Sequence, residues 1–188
     1  MKEIEIGNLL NLDETIAAEI FKGCCFPFEA LPKISEFIIK LGESLPPDRF
    51  ERREGNIWIA KSATVADTAC LNGPLIIDEG AQIRHCAFIR GSAIVGRDAV
   101  VGNSTELKNV ILFNSVQVPH YNYVGDSILG FKAHMGAGAV TSNVKQDRTP
   151  VTVRVFNTKV ETGLKKMGAV LGDFVEVGCN AVLNPGTV

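Results

Sequence analysis

Long apolar runs are missing from this sequence. None reaches the roughly 20 residues that cross a bilayer, so the chain reads as soluble, with no membrane partner. A surplus of charge is missing too. The 19 Lys and Arg against 21 Asp and Glu leave a formal net charge of −2, whereas nucleic-acid binders usually carry a strong basic excess. The five cysteines are an odd number, form no CxxC pair and follow no signal peptide. They read as reduced thiols of a cytoplasmic protein. No serine lies in a GxSxG elbow, which leaves triad hydrolysis without support. Disorder is excluded by a hydrophobic content of 46%, ordinary for a globular chain.

What is present is a repeat. In steps of six from Ile59 the chain gives Val65, Leu71, Ile77, Ile83, Ile89, Val95, Val101, Leu107 and Phe113, with no polar exception. At this composition, ten hits in a given register have a chance of about 0.0004. Four residues after each anchor small side chains prevail, as at Ala63, Ala69, Ala81, Ala87, Ala93 and Ala99. The position after the anchor holds Asn72, Asp78, Gly96, Gly102 or Asn114 in half the repeats, residue types that tolerate a left-handed backbone and so mark this position as the corner. Six residues turn a helix through about 600 degrees and cannot share a face. Hairpin sheets need turn signals at longer spacing. The fitting architecture is a mainly β solenoid in which three hexads make an 18-residue triangular coil, that is, a parallel β-helix. The spacing alone leaves its hand open.

The chain divides into a helical N-terminal segment, residues 1–56, and a β-helix, residues 57–188. In the first, Asp13 is expected to cap a helix through Ile20 and Phe21, and Ile34, Phe37, Ile38 and Leu41 fall on one helix face. This segment has no Gly-rich turn to cradle a nucleotide phosphate, and reads as a small cap or an oligomer contact. Hexads stop after Val140 and resume at Leu171, Val177 and Leu183. Residues 141–170 therefore form an inserted arm, with a turn expected at Asn157 and Thr158. The sequence ends inside a hexad series, and an open β-helix end exposes strand edges; truncation or cover by another chain is expected.

Arg90 and Lys108 follow anchors one full coil apart and should stack. Two cations about 5 Å apart repel by roughly 1 kcal/mol in high dielectric. Such a pair suits a bound anion, a phosphate above all; the alternative is two solvated corner charges with Glu106 as local counter-charge. Cys24, Cys25 and Cys86 read as buried structural thiols, and His85 as a wall residue. His120, between two tyrosines in "VPHYNYVGD", is open to either a wall role or proton transfer. With His85, His120 and His134 separated by 35 and 14 residues, the close histidine pair of zinc-binding β-helices such as the gamma-class carbonic anhydrases is absent, so no metal is expected.

Residues 89–143, about a third of the chain, resemble the acetyltransferase domain of the bifunctional bacterial enzymes that make UDP-N-acetylglucosamine. The resemblance runs through "VGN", "E" and "K" at 101–108, "H", "Y" and "GD" at 120–126 and "GAG" at 136–138. It implies a left-handed β-helix, a homotrimer, and acetyl transfer from acetyl-CoA to an amino-sugar phosphate such as glucosamine-1-phosphate. Arg90, Lys108 and Tyr123 then correspond to the residues that hold the sugar phosphate, and His120 to the general base. Ala137 and Asn143 correspond to acetyl-CoA contacts. A base near neutral pH is what amine attack on a thioester needs, and glycines beside Ala137 would let a thioester reach backbone N–H groups.

The departures fall in the same region. His134 stands where the family has Asn before its "GAG" and joins the substrate-side candidates. The family's "NYDG" is here "NVKQ", which places Val144 beside Asn143 on the acetyl-CoA side. Cys179 replaces a Ser of the coil after the arm and is likewise a cofactor-side candidate. The nucleotidyltransferase domain and the later coils are missing from the sequence. An alternative function follows, a non-catalytic β-helix serving as an assembly or regulatory subunit.

Overall fold

The computed structural model describes residues 2–188. It is a left-handed parallel β-helix with one N-terminal α-helix of substance, Ile34–Ser44. Short parallel strands stack into three walls. The first runs through Ile57–Ala60, Leu75–Ile77, Ala93–Val95 and the ends of Glu106–Leu112 and Tyr123–Leu129, then Val170–Leu171. The second holds Thr64–Val65, Gln82–Ile83, Val100–Asn103, Gln117–His120, His134–Met135 and Glu176–Val177. Cys70–Leu71, Phe88–Ile89, the starts of Glu106–Leu112 and Tyr123–Leu129, Val140–Thr141 and Val182–Leu183 make the third.

The coil is not constant. Ile77 pairs with Val95 eighteen residues on, but Val95 pairs with Leu112 and Leu112 with Leu129, seventeen residues each. One residue is lost between the third and first walls, and there Glu106–Leu112 and Tyr123–Leu129 run round the corner as unbroken strands. The tenth anchor is therefore Leu112, and the expected Phe113 lies one place out of register. Its ring turns to the N-terminal segment, 5.9 Å from that of Phe21. The left-handed residues also sit elsewhere than expected. Gly80, Cys86, Ser92, Asp98 and Ser104, three places after their anchors, have positive φ. The glycines right after anchors serve close stacking instead: a Cβ on Gly102 would lie 1.6 Å from the carbonyl oxygen of Pro119 on the next coil.

Side chains alternate in and out along a wall. On the second wall the outward residues Gln82, Gln117 and Glu176 are exposed. On the first they are Trp58, Ile76, Ile94, Ile111 and Ile128, all buried. The N-terminal segment covers them: Ile34–Ser44 packs on the strands of this wall, with Gly42 flat against the Trp58 ring. Burying each isoleucine contributes about 1.5–3 kcal/mol. The segment thus clothes a flank of the solenoid. The helix expected from Asp13 to Phe21 does not form; Asn11 caps a 3-10 turn at Leu12–Glu14, and a second turn covers Ala18–Phe21. The strand Phe50–Arg53 pairs antiparallel with Ile57–Ala60.

After Thr141 the chain leaves the stack and returns at Ala169, making a hairpin of Thr152–Val155 and Thr158–Glu161 on the way. Its turn is at Phe156 and Asn157, one residue before the expected place, with Phe156 in the left-handed region. Val151, Val153 and Met167 are fully buried at its base. The thiols are free, and the expectation of burial fails: Cys25 and Cys86 are exposed and Cys24 half-buried. Cys86 occupies a corner, where the backbone turns its side chain away from the core.

Candidate functional site

The shortened corner between the third and first walls gathers polar groups. Arg90 and Lys108 stack there as expected, since Ile89 and Leu107 pair and the Arg90 N–H donates to the Leu107 carbonyl. Each cation has its own carboxylate. Arg90 Nη1 is 2.8 Å from Glu106 Oε1, and Lys108 Nζ lies 2.9 and 3.0 Å from the two oxygens of Asp126. The bond to Glu106 raises the Arg90 pKa further. The pair is thus neutralised within the chain. The Arg90 side chain keeps 47% of its surface exposed, while that of Asp126 keeps 5%.

Tyr123 pairs with Glu106 and lies beside this group. Burial pushes its phenol above the ordinary value, with the Asp126 and Glu106 carboxylates adding to the rise, so the hydroxyl stays protonated. Asn143 Nδ2 donates to that hydroxyl at 3.4 Å and to Asp126 Oδ2. Gly125 leaves room for the phenol, since a Cβ there would lie 2.5 Å from the Tyr123 oxygen. Arg90, Lys108, Tyr123 and Asn143 are therefore one cluster.

His120 stands at the corner that precedes Tyr123 along the coil, between the second and third walls. Its N–H donates to Asn122 Oδ1 at 3.0 Å, and its carbonyl accepts from the Gly138 N–H at 3.0 Å. Asn122, 2% exposed, donates on to the carbonyls of Gly136 and Ala139 at 2.9 and 3.0 Å. The histidine backbone is thereby fixed to the "GAG" turn. Its imidazole is exposed and has no hydrogen-bond partner among the described residues.

The glycines of that turn have a structural reason. Gly138 is left-handed at φ +74, and a Cβ on Gly136 would lie 2.7 Å from the Cys179 nitrogen. The Gly136 N–H is engaged with the Val177 carbonyl and the Gly138 N–H with that of His120. Ala137 lies between His120 on the coil below and Cys179 on the coil above, the Asn180 N–H donating to its carbonyl at 2.8 Å. His134 is set apart on the second wall, Nδ1 2.6 Å from Glu176 Oε2. Val144 is 42% exposed and borders an open hollow with Thr152, Arg154 and Asn184. The sequence reasoning missed Asp126, Asn122 and Asn109. Their signal was present only as short polar residues placed 14 to 18 positions from their partners.

A family model described as the GMPPB C-terminal domain matches residues 71–188. The bifunctional protein GlmU of Methanococcus vannielii is 40% identical over 149 residues, covering 70% of this chain and 36% of that protein. GlmU of Methanocaldococcus jannaschii is 35% identical over 140 residues, 65% of this chain and 34% of that protein. The bifunctional sugar-1-phosphate nucleotidylyltransferase/acetyltransferase of Sulfurisphaera tokodaii is 29% identical over 140 residues, 65% of this chain and 35% of that protein. The chain spans about a third of the length of these relatives.

Proposed function

The chain belongs to the GMPPB C-terminal domain family, and from that premise we propose that it transfers acetyl from acetyl-CoA to the amine of an amino-sugar phosphate such as glucosamine-1-phosphate. The observation that carries this reading is the arrangement of two neighbouring corners. One bears the stacked Arg90 and Lys108 with Tyr123 and Asn143, and the other bears an exposed imidazole at His120 that has no hydrogen-bond partner among the described residues. Relatives named as acetyltransferases support the reaction class.

In this reading Arg90 and Lys108 receive the sugar phosphate, with Glu106 giving up part of its hold on Arg90 as the anion enters and the third N–H of Lys108 turning to it. Tyr123, kept protonated, donates its hydroxyl to the acceptor. His120 takes the proton as the acceptor nitrogen attacks the thioester carbonyl; a C–N bond forms, the C–S bond breaks, and coenzyme A leaves as the thiolate. General-base help of this kind contributes typically 10² to 10⁴ in rate. Asn143, Val144, Ala137 and Cys179 border the path of the acetyl donor, and His134 lies toward the acceptor. The working form is a homotrimer in the cytoplasm, with the groove between two β-helices closing the site; no described helix is long and apolar enough to cross a membrane.

The test is acetyl-CoA consumption with glucosamine-1-phosphate by wild type and His120→Ala, beside calorimetric titration of both ligands. A wild type that turns over while the variant falls at least a hundredfold supports the assignment. A wild type as inactive as the variant and unable to bind acetyl-CoA removes it. Sedimentation at working concentration decides the trimer, and a clean monomer rules out a shared site.

A further inference from the structure

Asp126 has no chemical step in the reading above, yet the shortened corner is built around it. Its side chain is almost fully buried. Oδ1 accepts from Lys108 Nζ at 2.9 Å and from Asn109 Nδ2 at 3.0 Å, and Oδ2 accepts from Lys108 Nζ at 3.0 Å and from Asn143 Nδ2. These donors come from the coil below and the coil above. The Asp126 carbonyl accepts from the Gly168 N–H at 2.8 Å, and the Asn143 carbonyl from the Met167 N–H at 3.0 Å, where the hairpin segment rejoins the stack. A buried carboxylate is tolerable only when its lone pairs are satisfied, and charge-assisted bonds of this kind hold their partners in defined geometry.

We propose that Asp126 is a positioning residue that fixes the Lys108 ammonium and the Asn143 carboxamide relative to one another. This rests on the acetyl-transfer reading, in which Lys108 serves the acceptor and Asn143 the donor. Both oxygens accept from Lys108 and Oδ2 accepts also from Asn143, the two residues that must be set for acceptor and donor to meet. Lys108 has three N–H donors, so two can remain on Asp126 while the third meets a ligand oxygen. The carboxylate would then act as a fixed post rather than a charge to be displaced. Misplacement by about 1 Å at such a site is enough to cost on the order of a hundredfold in rate.

The decisive experiment is a double-mutant cycle of Lys108→Met and Asn143→Ala, run in the wild type and in Asp126→Asn. In the wild type the two effects on kcat/KM should depart from multiplicativity by roughly fivefold or more, as for groups sharing one hydrogen-bond network. In Asp126→Asn they should multiply, and Lys108, released from its partner, should react several-fold faster with an amine-acylating reagent, read by peptide mass spectrometry. Coupling of the same size in both backgrounds, with unchanged Lys108 labelling, overturns the proposal. Should Asp126→Asn fail to fold, Asn109→Ala loosens the same carboxylate. A raised KM for the acceptor at unchanged Tm supports the role, and unchanged KM with unchanged labelling refutes it. If the wild type transfers no acetyl, the functional reading fails, while the labelling comparison still decides whether Asp126 holds Lys108.

Discussion

Replacing Asn122 by alanine tests how the fold holds the candidate base. The side chain is 2% exposed and makes three hydrogen bonds at 2.9 to 3.0 Å, accepting from the His120 N–H and donating to the Gly136 and Ala139 carbonyls. Alanine leaves one part-buried donor and two buried acceptors without this partner. An orphaned buried group costs about 1–3 kcal/mol, carbonyls least because the second lone pair is not always used. The Gly136 carbonyl keeps the Ala139 N–H, so the total should be near 3 kcal/mol. For a chain of this size that lowers Tm by roughly 6–12 °C. Asn122→Asp sharpens the test. The carboxylate can still accept from His120, but it faces two carbonyl oxygens with no proton to offer, so it should be at least as damaging as alanine near neutral pH and recover as the pH falls. The assay is thermal unfolding followed by circular dichroism at fixed protein concentration, with acetyl-transfer rates on the folded variants. A Tm within 2 °C of wild type for alanine, or an aspartate variant milder than alanine at pH 7, would refute the reasoning.

Gly102→Ala should prevent stacking, since its Cβ would overlap the Pro119 backbone; soluble, folded protein with wild-type Tm would contradict this. Gly42→Ala pushes a methyl into the Trp58 ring, whose nearest atoms would be 2.4 Å away, and overpacking of this kind costs about 1–3 kcal/mol. Tryptophan fluorescence and Tm should both shift, and no change in either would show that the helix is not held against that ring. Burial raises the Asp78 carboxyl above its ordinary pKa. The unfolded chain then loses this proton first, and the stability from this group falls as pH rises from the unfolded pKa to the folded one. Asp78→Asn, which can still accept from the Glu79 N–H, should therefore match wild type below that window and exceed it at pH 7; equal Tm values at pH 7 would count against the burial argument.

How much of this was legible in the sequence depends on what a fixed period can see. A step of six finds inward anchors down to Leu107, because each coil up to that point has the same length. It passes over the single residue lost at Asn109 and so selects Phe113 where Leu112 belongs. The runs "LII", "AIV" and "VIL" at 75, 93 and 110 carried a second message. Two or more adjacent apolar residues on a wall bury both faces, and that pattern names the wall under the N-terminal segment. The segment itself was less legible. Its 3-10 turns, interrupted by Pro27 and Pro32, lack the periodicity that marked Ile34–Ser44.

For the site, the same local change explains both what was found and what was missed. Residues next to anchors, Arg90 and Lys108, could be stacked by counting. Asp126 could not be read as their partner, because its role depends on Asn109 standing below it and Asn143 above it, and that column exists only where the coil is seventeen residues long. With eighteen, the corner would contain an extra residue and the strand Tyr123–Leu129 would break, as the chain does between Phe88–Ile89 and Ala93–Val95 two coils earlier. The lost residue is thus the step that converts a repeated wall into a distinct polar corner, and it coincides with the place where the hairpin segment leaves and rejoins the stack.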